Sequence, residues 1–165
     1  MKSLILDLDN TIIDSEVLAP LRAARNWSDC RRGAHKTLCF PNISVAISAI
    51  RRIGIRVGIV TSSPSNYAAH MLNHHQIGHD ALVAYHDVSR RKPDAEAIYL
   101  CLQRLSADAS GCTGVGDQVI DAIAYKAAGI RSWGAGWSPY LVRDAAWDYV
   151  ANDPMDLLRE FNIKI

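Results

Sequence analysis

The stretch that most constrains this chain is Leu4-Ile5-Leu6-Asp7-Leu8-Asp9-Asn10-Thr11. An apolar run carries two carboxylates, one residue apart, to a point where the chain must turn. Residues i and i+2 of a strand share a face, which predicts that Asp7 and Asp9 point the same way. Two like charges that close repel unless a cation or a shared proton neutralises them. Asn10 and Thr11 add turn geometry and a hydroxyl. Open α/β sheets place their chemistry at the carboxyl ends of strands, so the stretch reads as a catalytic strand end. An isolated D-x-D is more often a solvated turn, and the rest of the chain has to decide between the two.

Strand-like and helix-like patterns alternate from there on. Residues 3–9 predict a buried strand, residues 15–25 a helix with Ser15 as N-cap, and residues 27–41 a loop with several basic residues. Val45, Ala46, Ala49, Ile50 and Ile53 recur at helical spacing, and Gly54 is placed to stop that helix. Residues 56–61 predict a second strand, after which Pro64 suits the first turn of a helix running to about residue 76. Further strands are predicted at 81–85, 112–116 and 130–134, with helices at 94–105, 119–128 and near 154–161. Strands separated by helices of ten or more residues need crossover connections, which predicts an α/β fold with a doubly wound parallel sheet.

Composition sets the bounds. At 165 residues with 49% hydrophobic and 21% charged, the chain is long enough to bury a sizeable core, and residues 1–165 read as one domain. A net charge of +1 argues against a surface dominated by polyanion binding. The four cysteines contain no C-x-x-C pair, which suits a reducing compartment and points to the cytoplasm. The first residues do not read as a signal peptide, because Asp7 and Asp9 interrupt the apolar run, and no run approaches a membrane span.

Each predicted strand ends in something polar. The first ends in Asp7 and Asp9, the second in Thr61 and Ser62, and the fourth in Gly116-Asp117; Lys92-Pro93 follows the third. If a helix begins at Val119, Asp117 lies at its start and Asp121 one turn in, both able to face one site. Carboxylates at that density call for a hard cation, and Mg²⁺ takes a few carboxylates plus water and phosphate oxygens. A hydroxyl, a lysine and helix N-terminal amides are what a phosphoryl group requires. One carboxylate is then free to attack and another to shuttle a proton.

DLDNTIIDSE, VTSS, RKPDAEAI and GDQVIDAIAYKAAGI, in that order, resemble the four motifs of the haloacid dehalogenase-like phosphohydrolases. The resemblance spans nearly the whole chain except residues 15–40 and the tail. It implies a three-layer sandwich with a Rossmann-like core in strand order 3-2-1-4-5, the strand of Asp7 in the middle. It also implies an Mg²⁺-dependent phosphatase that hydrolyses a phosphomonoester through an aspartyl-phosphate. Asp7 would be the nucleophile and Asp9 the general acid/base. Thr61 would hydrogen-bond the phosphoryl group, with Ser62, Thr11 and Asn10 on the substrate side, and Lys92 would offset the charge. Asp7, Asp117 and the backbone carbonyl of Asp9 would hold the metal, supported by Asp121. Asn10 stands where glycine is commoner in the family, and asparagine tolerates the same turn.

One departure bears on the substrate. Members resembling phosphoglycolate phosphatase insert a helical cap after the first motif, whereas here only the 26 residues from Ser15 to Phe40 are available. They hold a short insert rather than a cap, which leaves a site open to bulky substrates or covered by a second copy in a homo-oligomer. The insert carries Arg22, Arg25, Arg31, Arg32 and Lys36 against Glu16 and Asp29. It reads either as a basic rim for an anionic leaving group such as a nucleotide or nucleic-acid end, or as a solvated face; a phosphoprotein is a further bulky substrate such an open site would admit. Cys30, His35 and Cys39 offer three soft ligands without a fourth, short of a zinc site. His70, His74, His75, His79 and His86 read as a polar face, and Trp133, Trp137 and Trp147 as packing residues. The rival reading is a signalling phospho-aspartate domain, or a non-catalytic scaffold, using the same acidic Mg²⁺ site. A receiver domain orders its groups differently, with the lysine last, whereas Lys92 precedes Asp117 and Asp121.

Overall fold

The computed structural model describes residues 1–164. In chain order the strands and α-helices are β1 (Ser3–Leu6), β2 (Ile13–Asp14), α1 (Ala19–Ala23), α2 (Trp27–Arg32), β3 (Leu38–Cys39), α3 (Ile43–Arg52), β4 (Arg56–Val60), α4 (Ser65–His74) and β5 (Ala81–Val83). They continue as α5 (Glu96–Leu105), β6 (Cys112–Gly116), α6 (Val119–Ala127), β7 (Arg131–Ala135), β8 (Tyr149–Ala151) and α7 (Asp156–Glu160).

Six strands form one sheet in the order β5-β4-β1-β6-β7-β8, and every neighbouring pair is parallel. The first five strands of this sheet, in chain order, thus stand as 3-2-1-4-5, with the Asp7 strand central and those leading to Thr61 and Asp117 on either side. β8 adds an edge strand that the sequence pattern does not announce. Strand alternation sorts β1 between two cores: Leu4 and Leu6 pack with α3, α4 and α7, while Ile5 packs with α5 and α6. All three are fully buried, as a central strand covered on both faces requires. The close approach of α6 depends on Gly114, where a Cβ would sit 2.6 Å from the Tyr125 ring.

The insert differs from expectation. Residues 15–25 do not form one helix; a 3-10 turn, Glu16–Leu18, leads into the five-residue α1. Ser15 makes no side-chain cap and turns its hydroxyl to Asp9 instead. Residues 27–41, expected as loop, contain α2, a second 3-10 turn and β3. Asn26 caps α2 by accepting the Asp29 N–H, and β3 pairs antiparallel with β2. The insert thus packs back onto the body: α2 lies against α4, and the Trp27 ring sits 5.3 Å from that of Tyr67. Among the described residues no helix is long and apolar enough to cross a membrane.

Candidate active site

The carboxyl ends of β1, β4 and β6 bring the expected residues together. β1 ends at Leu6, so Asp7 begins the turn, held by its N–H to the Val115 carbonyl at 2.9 Å. Asn10 takes φ of 61°, a left-handed conformation that asparagine accepts more readily than most residues. Because the strand stops early, Asp7 and Asp9 do not share partners as strict alternation predicted. Asp7 faces an inner cluster, and Asp9 faces the insert.

The inner cluster is built around Lys92, whose ammonium donates to Asp7 Oδ1 at 2.8 Å, Asp121 Oδ1 at 2.6 Å and the Val60 carbonyl at 3.1 Å. Asp7, Asp117 and Asp121 offer oxygens that all lie within 4.8 Å of one another, and all three residues are buried. Asp117 accepts from the Thr11 hydroxyl at 3.0 Å and from the Gln118 amide at 2.7 Å. Asp121 Oδ2 accepts the backbone N–H groups of Asp117 and Gln118, which fixes it at the amino end of α6. Gly116 makes that position accessible, since a Cβ there would meet Asp121 Oδ2 at 2.6 Å.

Burial drives the Asp7 carboxyl well above the usual carboxylate range; Lys92 opposes the rise, and Asp121 and Asp117 add to it. Burial likewise raises Asp117, with Asp121 adding to the effect against the bonds from Gln118 and Thr11. Burial works against the Lys92 ammonium, but the Asp121 and Asp7 carboxylates outweigh it and hold its pKa above the ordinary value. One lysine therefore faces three acids in a desolvated space.

The outer cluster surrounds Asp9. Its Oδ1 accepts from the Ser15 hydroxyl at 2.7 Å, Arg22 Nη1 at 3.0 Å and the Tyr67 hydroxyl at 2.6 Å, and its Oδ2 from the Ser63 hydroxyl at 3.0 Å. Burial raises the Tyr67 phenol, and the Asp9 carboxylate raises it further. Thr61 is buried beside this cluster, its hydroxyl accepting the Ser63 N–H at 3.1 Å, while Ser62 is exposed at the mouth.

Two expected substrate ligands are otherwise engaged. Thr11 is wholly buried with its hydroxyl on Asp117, and the Asn10 carboxamide donates to Glu16 and accepts the Ser15 N–H. Four residues around Asp9 and Asp117 lie outside the set the sequence predicts: Ser15, Ser63, Tyr67 and Gln118. Ser15, Ser63 and Gln118 lie inside the motif stretches quoted above, which is the signal that finds them. Tyr67 lies inside a helix and carries none. Arg22, read in the sequence as part of either a substrate-facing basic rim or a solvated face, is paired with Asp9, its side chain 17% exposed.

Cys30, His35 and Cys39 do not assemble; Cys30 is buried and His35 Nδ1 contacts the Arg32 carbonyl. Among the described residues, the three aspartates are the group compact enough to hold a metal ion. His75 bonds Thr37, Trp137 donates to the Thr11 carbonyl, Trp147 packs over Gly134, and Trp133 lies against Tyr149.

With this sheet and these strand ends, the chain belongs to the haloacid dehalogenase-like hydrolases, whose family model matches residues 22–135. Among individual relatives, it is 32% identical over 101 residues to pyrophosphatase PpaX of Bacillus velezensis, a match covering 60% of this chain and 47% of that one. It is 33% identical over 93 residues to a plasmid-encoded phosphoglycolate phosphatase of Cupriavidus necator, covering 55% of this chain and 40% of that one. The chain thus spans less than half the length of these two relatives. The fold is shared with CbbY from Rhodobacter sphaeroides, solved in complex with phosphate, at TM-score 0.82 and 16% identity over 95% of this chain and 96% of that one. A hydrolase from Pseudomonas syringae superposes at TM-score 0.81 and 19% identity over 98% of each chain.

Proposed function

We propose that this chain is an Mg²⁺-dependent phosphatase that removes the phosphoryl group of a small phosphorylated molecule through an aspartyl-phosphate. The observation that supports this most is the buried group Asp7, Asp117 and Asp121 around one lysine at the carboxyl ends of adjacent parallel strands. Three buried carboxylates against one ammonium leave surplus negative charge, and an all-oxygen donor set of that charge fits a hard divalent cation. Asp7, Asp117 and the Asp9 carbonyl would hold Mg²⁺, with Asp121 behind them; once bound, it supplies neutralising charge to the phosphoryl oxygens.

The chain's own groups carry the remaining steps. Asp7 donates its free carboxylate oxygen, Oδ2, to phosphorus while Lys92 holds Oδ1 in place. The Thr61 hydroxyl and the amides beyond it bond the equatorial oxygens as they gain charge. Asp9 gives its proton to the leaving oxygen, then takes one from the water that hydrolyses the phospho-aspartate. Asp9 is suited to this because its carboxylate lies outside the metal cluster, on the side of the insert.

The expected outcome is phosphate release from phenyl phosphate that requires Mg²⁺ and stops in EDTA. Asp7→Asn should abolish turnover and leave no phosphate on acid-quenched enzyme. Activity undiminished by chelator, or a phospho-enzyme formed by Asp7→Asn, would contradict the assignment.

A further inference from the structure

A cavity of about 330 Å³ opens beside Asp9, lined by Arg22, Arg25, Trp27, Ser62, Tyr85 and His86 with Ala23 and Pro64. Two of its lining residues adjoin the site. Ser62 follows Thr61 directly, and Arg22 bonds the carboxylate that would protonate a leaving oxygen. Three separate segments build its walls: the insert, the turn after β4 and the turn after β5. The last two are tied together by the Tyr85 N–H bonding the Ser63 carbonyl at 3.0 Å.

Its character differs from that of the acid cluster. The lining contains two aromatic rings, an imidazole and two guanidinium groups, and no carboxylate. Each ring is buttressed by a neighbouring side chain. Trp27 packs on Tyr67, and Tyr85 carries the Arg91 guanidinium 3.8 Å from its ring centroid, with Arg91 also bonding the Tyr85 carbonyl. Fixed aromatic faces beside guanidinium groups favour a flat, π-rich ligand, through stacking on the rings and cation–π contact with arginine. The cavity is also large for a two-carbon leaving group, which would touch few of these walls. A larger hollow of about 520 Å³, lined by Arg51, Arg52, Arg56 and Asp80, lies at the amino end of β4, away from the site.

We propose that this cavity is the leaving-group subsite and that it takes a flat heteroaromatic leaving group of nucleoside size, so that the substrate is a nucleoside monophosphate. The inference rests on the phosphatase reading above for the phosphoryl end and adds the identity of the other end. Tyr85 is the specificity-determining residue, because its ring lines the cavity, is buttressed by Arg91 and does not belong to the acid clusters.

The test compares adenosine 5′-monophosphate with ribose 5-phosphate, which keeps the phosphoryl anchor and sugar but lacks the base. The wild-type chain with Mg²⁺ should favour the nucleotide by about tenfold in kcat/KM, the effect of one stacked base. Tyr85→Ala should bring that ratio near one, mainly through KM, and Tyr85→Phe should keep it. A wild-type ratio near one, or one that survives Tyr85→Ala, overturns the proposal. Equilibrium binding of the same two compounds to Asp7→Asn reads the subsite without turnover. If neither they nor phenyl phosphate is hydrolysed but Asp7→Asn still prefers the nucleotide tenfold, the phosphatase reading fails and the subsite stands. Equal binding of the two overturns the subsite.

Discussion

Four donors converge on the Asp9 carboxylate, two of them from the insert (Ser15 and Arg22) and two from the turn and helix after β4 (Ser63 and Tyr67). Asp7 and Asp9 have identical side chains, so in the proposed mechanism these surroundings would divide the labour between them. Asp9→Asn should slow hydrolysis of an alkyl phosphate by about 10²–10⁴, the worth of positioned proton transfer. Nitrophenyl phosphate should suffer much less, because its leaving group needs little protonation. Tyr67→Phe should show the same leaving-group bias in milder form, since it loosens Asp9 without removing it. Equal losses on both substrates would refute the acid/base role. The inner cluster was legible in the sequence because strand ends in a parallel sheet converge: Asp7, Lys92, Asp117 and Asp121 meet where their motifs place them. Thr11 and Asn10 were not legible in the same way. Which partner a hydroxyl takes 106 positions away, as Thr11 does with Asp117, is settled by packing and not by local pattern.

At the scale of elements, the long helices and buried strands follow their apolar periodicity, and the short pieces do not. α2 has six residues, too few for a face to repeat, and its one readable sign is the cap formed by Asn26 three residues before Asp29. β8 has three residues and takes its place by pairing with β7, which no property of Tyr149–Ala151 announces. The junction between α3 and β4 shows how such elements are held in place. Asp80 accepts from Arg51 on α3 at 2.7 and 3.1 Å and from the Val57 N–H in β4 at 2.8 Å. The Arg51 bond is the main reason the Asp80 pKa is lowered. A carboxylate with a depressed folded-state pKa stabilises fully above its unfolded value and loses that contribution as pH falls through the folded one. Asp80→Ala should therefore cost about 1 kcal/mol at pH 7, held down by solvent exposure. The difference from wild type should shrink as denaturation is repeated below about pH 4. A gap that stays constant down to pH 2 would show that Asp80 acts through packing and not through its charge.

For the whole molecule, the three buried aspartates are a cost to folding that a bound cation would convert into a gain. Without one, Asp7, Asp117 and Asp121 repel each other in a desolvated cluster, and Lys92 compensates only one of the three charges. An ion that binds this folded arrangement and not the unfolded chain stabilises it by mass action, by about 2.7 kcal/mol at a hundred times its dissociation constant. For a chain of this length, that corresponds to roughly 5–10 °C in Tm. Mg²⁺ titrated into chelator-treated protein should raise the thermal midpoint by that much, and EDTA should reverse it. Asp117→Asn separates this from a general salt effect. The substitution keeps the shape of the side chain and an oxygen for the Thr11 hydroxyl, while removing one charge and one anionic ligand. In chelator, Asp117→Asn should unfold at or above the wild-type temperature, because the repulsion is relieved. In Mg²⁺ it should gain little, so the order of the two proteins reverses on adding the ion. A variant that is less stable in both conditions by the same amount would mean that Asp117 supports the fold through its hydrogen bonds, and that the acid cluster is not where the metal acts.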